Sequence, residues 1–233
     1  MKIFKNLTLI GTSHISEQSV QEVTKTIETI HPDIVALELD QTRFMALLEK
    51  KKRKVGFSSI LKIGVKGYLF ALIGSYIQKK LGKIVKMEPG SEMKVAIDLA
   101  RARKMKIALV DQPIEITLRR FSQEFTWKEK WRIVVDIFRG IFFKKRELKR
   151  YGLMGFDLTK VPEEKLIKKL IKQMKKRYPN IYKVLVKERN EVLAKNLSEL
   201  IKKEPESKIV AVVGAGHESE IIKLIQRQVK LSD

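Results

Sequence analysis

Two apolar runs near opposite ends of the chain, Leu7-Thr8-Leu9-Ile10 and Ile209-Val210-Ala211-Val212-Val213, close on one device, a glycine followed three positions on by a histidine. The turns are Gly11-Thr12-Ser13-His14 and Gly214-Ala215-Gly216-His217, and each stands just before a helical pattern. The second run is almost entirely β-branched, the composition of a strand covered on both faces, as parallel strands are. Set side by side in one parallel sheet, the two strands bring the two imidazoles together. The small residues then serve to let each histidine project from a tight turn. A phosphate cradle of the Gly-x-Gly kind is the weaker reading, because Ser219 stands where its third glycine belongs.

Ser16, with Glu17 behind it, suits a helix start, and Val20, Val23, Ile27 and Ile30 mark one helical face. His31-Pro32-Asp33 ends that helix, since the residue before proline leaves the α region. Ile34-Val35-Ala36-Leu37 resumes as a buried strand leading into Glu38-Leu39-Asp40. This is a βαβ unit, whose strands run parallel, so His14 and Glu38 belong to the same carboxyl edge. Farther on, Pro89-Gly90-Ser91 breaks the chain and Glu92 opens a helix with Ala96, Leu99, Ala100 and Arg103 at helical spacing. Lys106-Ile107-Ala108-Leu109-Val110 then reads as a strand ending on Asp111.

Two long stretches read as helical only. Residues 43–86 hold the basic run 50–54, whose default reading is a solvated face, and the apolar segment 63–77. Lys66 and three glycines interrupt that segment, and it is shorter than the roughly 20 apolar residues of a spanning helix; an amphipathic surface helix is its membrane alternative. In the second stretch, Thr126-Trp127-Lys128-Glu129 fits a capping box ahead of Trp131, Val134, Val135, Phe138 and Phe142. Pro162 with Glu163 and Glu164 opens a helix striped by Leu166, Ile167, Leu170, Ile171 and Met174. A last one, about 180–203, sets Tyr182, Leu185, Arg189, Leu193, Asn196, Leu197 and Leu200 on one side. The expected architecture is one α/β domain over 1–233, a central mixed or mostly parallel sheet flanked by helices with a large helical insertion. Its core comes from about 1–45, 88–115 and 206–233, and its insertions are about 46–87 and 116–205.

Composition narrows the partners. An apolar content of 44% over 233 residues supports a sizeable core. The net charge of +22 suits an anionic membrane surface, nucleic acid or an acidic partner, and lysine-rich surfaces are also a thermophile trait. Nucleic acid ranks last, because no aromatic-interleaved basic motif is present. A homo-oligomer is compatible with every reading. Zero cysteines exclude disulfides, thiolate metal sites and a cysteine nucleophile. Residues 1–10 form an alternating strand, unlike a secretory signal, so the expected location is cytoplasmic or membrane-associated.

In open parallel sheets ligands bind outside the carboxyl ends of the strands. Here those ends carry His14, Glu38, Asp111 and His217. Imidazole suits Zn, Mn, Co or Fe, and carboxylate suits harder ions, so this set reads as a divalent-metal site. The plainer reading, that each histidine packs or caps its own turn, stands beside it. Arg189 sits on an apolar helix face and needs an acidic partner there, with Glu38, Asp111 or a substrate carboxylate as candidates. Arg43, near Glu38, and Glu92 are placed to join the same cavity, while His31 is a turn residue.

In order, Gly11-Thr12-Ser13-His14-Ile15-Ser16, Glu38-Leu39-Asp40-x-x-Arg43, Pro89-Gly90-Ser91-Glu92-Met93, Leu109-Val110-Asp111, Thr117-Leu118-x-Arg120, Glu188-Arg189-Asn190 and Gly214-x-Gly216-His217 resemble the TraB / pheromone-shutdown family. That family includes the Tiki metalloproteases and belongs with the erythromycin-esterase and ChaN-like group. The resemblance implies a metal-dependent hydrolase, a peptidase acting on a short or extended peptide or small protein with manganese, cobalt or zinc. By it His14, Glu38 and His217 hold the metal, Glu188 or Glu92 is a ligand or general base, and Arg43 or Arg189 steadies a carboxylate or oxyanion. The alternative it leaves is a non-catalytic regulatory module that binds a peptide, haem or an anion in the same pocket, peripheral to a membrane.

Overall fold

The computed structural model describes residues 1–13, 17–49, 90–143, 146 and 164–230. Readings that rest on His14, Ser16, 50–54, 63–77, Pro89, Pro162 and Glu163 lie outside them.

Five strands form one sheet: β1 (Lys2–Phe4), β2 (Leu7–Thr12), β3 (Ile34–Leu37), β4 (Lys106–Leu109) and β5 (Ile209–Gly214), in the order β1-β2-β5-β3-β4. β1 is antiparallel to β2 and every other pairing is parallel. The two strands that precede the Gly-x-x-His turns are therefore neighbours, with Thr12 opposite Gly214. β5 lies between β2 and β3, paired on both sides, and all six of its residues are buried. That central place accounts for its run of β-branched residues, which suits a strand covered above and below.

Alternation along the strands divides the core into two layers. Ile209, Ala211 and Val213, with Leu7, Leu9, Ile34 and Ala36, pack against α8 (Glu188–Lys203) and α9 (Ala215–Lys230). Val210 and Val212, with Ile10, Val35 and Leu37, pack against α1 (Glu17–Ile30) and α3 (Ser91–Ala102). Close approach at the end of β2 requires glycine: a Cβ on Gly11 would stand 2.7 Å from Glu218 Oε2 and 3.1 Å from Ala215 Cα. Gly90 enters α3 at φ +84, a left-handed conformation that favours glycine.

The remaining helices are α2 (Gln41–Leu48), α4 (Ile114–Glu124), α5 (Trp127–Phe142), α6 (Glu164–Arg177) and the short α7 (Pro179–Tyr182). The helix expected over about 180–203 is interrupted, since a π-helical turn, Lys183–Lys187, joins α7 to α8. Its wider turn breaks the 3.6-residue phase, so the buried positions are Ile181 before it, Val184 within it and Leu193, Leu197 and Ile201 after it, while Tyr182 is only half-buried and Leu200 packs against the core from the border of the α8 stripe. Such π turns occur mostly at functional positions, and this one ends directly before Glu188-Arg189-Asn190. Among the described residues no helix is long and apolar enough to cross a membrane.

Candidate active site at the carboxyl edge of the sheet

Four parallel strands pointing the same way place their C-terminal residues on one edge. β3 delivers Glu38 and Asp40, β4 delivers Asp111, and β5 runs into the first turn of α9, which carries His217. All three carboxylates are buried. Asp40 caps α2 by accepting from the N–H groups of Thr42 at 2.8 Å and Arg43 at 3.0 Å. The same cap brings Arg43 into range, and its Nε donates to Asp40 at 2.7 Å while Nη2 donates to Asp111 at 2.6 Å.

Arg189 reaches the edge from α8. Its Nη2 donates to both Glu38 and Asp111, and its Nε lies 3.4 Å from Asp111 Oδ1. Burial works against this guanidinium's charge, but Glu38 and Asp111 more than reverse that, so its pKa is raised above the ordinary arginine value. The Gly214 N–H donates to the other Glu38 oxygen at 2.6 Å, tying β3 to the second glycine turn. Asp111 Oδ1 also accepts from the Gln112 N–H at 2.8 Å. Three carboxylates thus meet two guanidinium groups.

His217 completes the arrangement. Its Nδ1 lies 2.5 Å from Asn190 Oδ1, and its Nε2 is 3.5 Å from Arg189 Nη1 and 3.9 Å from Glu38 Oε1. An amide oxygen can only accept, so this pairing puts a proton on Nδ1 and turns the other nitrogen toward Glu38. Asn190 is 1% exposed, and its Nδ2 has no hydrogen-bond partner among the described residues.

The expected site residues therefore divide. Glu38, Arg43, Arg189 and His217 converge, and Asp111 joins them as the acidic partner that Arg189 requires. Glu188 points elsewhere: Arg120 of α4 donates to its two oxygens at 3.2 and 2.8 Å. Glu92 is buried in the first turn of α3, whose start faces the same edge because a crossover helix runs back against its strands, but none of the contacts above includes it. His14 lies outside the described residues, and His31 is an exposed turn residue at φ +47. Among the described residues no three His, Cys, Asp or Glu side chains are grouped to hold an ion; Glu38 and His217 supply two donors. Sequence reasoning gives no role to Asn190, whose only signal is its place beside Arg189.

The chain is an α/β protein with a mostly parallel sheet, the class in which ligands, where present, bind at the carboxyl edge. The chain belongs to the TraB/PrgY/gumN family, which it matches over residues 3–228. It is 37% identical over 224 residues to an uncharacterized protein of Methanocaldococcus jannaschii, a match covering 95% of this chain and 54% of that protein. TraB domain-containing proteins of Mus musculus and Homo sapiens are each 25% identical to it over 238 residues, covering 90% of this chain and 60% of theirs. The chain thus spans a little over half the length of these relatives.

Proposed function

We propose that the chain is a hydrolase acting on a peptide or small-protein substrate, with a divalent ion, manganese, cobalt or zinc, shared by His14, Glu38 and His217. The observation that supports this reading is the convergence at the carboxyl edge of buried Glu38 with the imidazole of His217, whose ring is oriented by Asn190 and whose Nε2 lies 3.9 Å from Glu38 Oε1. Imidazole nitrogen and carboxylate oxygen together are the donor types that bind a divalent cation. The donors fit in part: His217 Nε2 and Glu38 Oε1, 3.9 Å apart, are near the spacing two donors reach around one ion with ligand distances of about 2.0–2.2 Å. Such an ion, when bound, makes its water a nucleophile near neutral pH and polarises a carbonyl.

The chain's own groups take complementary parts. Asn190 fixes the His217 ring, so Nε2 is presented without a rotational search. Arg189 keeps its charge throughout the working range and is placed to meet a developing oxyanion or a substrate carboxylate. Glu38, anchored at one oxygen by the Gly214 N–H, has its other oxygen beside His217, where it would be the carboxylate donor to the ion. The buried Asn190 amide N–H is a further donor for an incoming oxygen.

The test is metal analysis of purified protein together with peptide cleavage by wild type, His14→Ala and His217→Ala. Bound metal in wild type, lost in the variants along with about 100-fold or more of the cleavage rate, is the expected result. Protein without metal, cleaving undiminished in both variants, overturns it. The second reading is a non-catalytic module that binds a peptide, haem or an anion at this edge. It is favoured by the occupation of both Glu38 oxygens by Arg189 and the Gly214 N–H. Saturable peptide binding without turnover, abolished in Arg189→Met, supports that reading instead.

A further inference from the structure

Helix α5 is amphipathic the wrong way round for a helix of a soluble core. The side it turns to the protein is largely polar. Glu129 is 1% exposed and accepts from the Asn180 N–H at 2.8 Å, and Asp136 accepts from the Arg177 guanidinium and the Tyr178 hydroxyl. Ile133 adds apolar packing, against the cluster of Phe121, Ile181 and Val184. The opposite side carries Trp127, Trp131, Val134, Phe138 and Phe142, each more than half exposed, at helical spacing over the whole length of the helix. A continuous exposed apolar stripe of this kind marks an interaction surface.

Charge decides between occupants. The acids of α5, Glu129 and Asp136, face inward, whereas Lys128, Arg132 and Arg139 are exposed and Lys130 lies 3.8 Å over the Trp127 ring. The rim of the stripe is therefore basic, in a chain of net charge +22. A second copy would bring these like charges together. Nucleic acid would take up the charges but leave Val134, Phe138 and Phe142 in water. An anionic bilayer satisfies both features, because apolar and aromatic side chains enter the acyl boundary while lysine and arginine meet the headgroups. We propose that the outward face of α5 docks in the plane of an anionic lipid bilayer. This surface is separate from the carboxyl edge and does not rest on the hydrolase reading.

Both tryptophans of the chain, Trp127 and Trp131, lie on this face, so their fluorescence reports on it directly. Full-length chain is titrated with vesicles of phosphatidylglycerol and phosphatidylcholine, and with vesicles of phosphatidylcholine alone. A blue shift with the anionic vesicles, weakened by salt, is expected, together with vesicle affinity about tenfold or more lower in the double variant Trp131→Glu/Phe138→Glu. Circular dichroism checks that the variant folds, and Trp127 remains as its reporter. Three results would overturn the inference: no blue shift with anionic vesicles, unchanged vesicle affinity in the folded variant, or a lipid-free blue shift that grows with protein concentration and signals a second copy.

Discussion

Two ionic networks, one inside the helical insertion and one joining it to the sheet edge, differ in make-up. Between α5 and α6, one carboxylate, Asp136, meets the forked guanidinium of Arg177 and the hydroxyl of Tyr178. Burial pushes the Asp136 carboxyl up, and Arg177 and Tyr178 more than reverse this, leaving it below the ordinary aspartate value. At the sheet edge, Glu38, Asp40 and Asp111 share Arg43 and Arg189. The first network is closed and acts as a clamp. The second gathers three carboxylates around two guanidinium groups beside an oriented imidazole, at the edge where open parallel sheets take their ligands.

Removing the arginine from each network tests that contrast. Arg189→Met leaves Glu38 and Asp111 buried without their shared partner, and unfolding by denaturant should show a loss of about 3–5 kcal/mol. Arg177→Met leaves a single carboxylate that keeps Tyr178, and about 1–3 kcal/mol is expected. Equal losses would break the distinction. Gly11→Ala comes next: its methyl would meet the α9 backbone at Ala215, and a cost of about 1–3 kcal/mol by thermal unfolding is expected. In Asn190→Ala the His217 ring loses its anchor, and any edge activity or metal affinity should fall about 10–100-fold.

The clamp also makes a smaller, pH-dependent prediction. Because the folded Asp136 pKa is depressed, its contribution is present above the unfolded value of about 3.9 and is lost as pH falls through the folded value. Tyr178 is raised to about 12, by burial first and then by Asp136. Its contribution is present below the unfolded value of about 10 and is lost as pH rises through the folded one. Hydrogen exchange at α5 amides should therefore accelerate in acid and again at strongly alkaline pH. An acid acceleration that persists unchanged in Asp136→Asn would remove Asp136 from the clamp.

Much of this was legible before any coordinates. The β-branched run of β5, the βαβ logic around Glu38 and the misfit of a charged Arg189 on an apolar face were enough to place the edge and to require an acidic partner for Arg189, with Glu38 and Asp111 among the candidates; the Arg43 pairs with Asp40 and Asp111 were not legible. Strand order was not legible, because the pairing of β5 between β2 and β3 spans most of the chain and leaves no local mark. The π turn is likewise silent, and by breaking helical phase it misassigns Tyr182. For α5, periodicity reveals the apolar stripe but not its direction. Glu129 and Asp136 on the opposite face turned that stripe outward, through partners on α6 and at Asn180 that sequence spacing cannot pair.

The most direct test is a thermal-shift titration of metal-stripped protein with manganese, cobalt and zinc, run on wild type, His217→Ala and Arg177→Met. If the sheet edge accepts a cation, wild type and Arg177→Met should gain stability with ion concentration, and His217→Ala should not. An unresponsive wild type, or an equal shift in His217→Ala, would contradict a cation site built on His217 and Glu38.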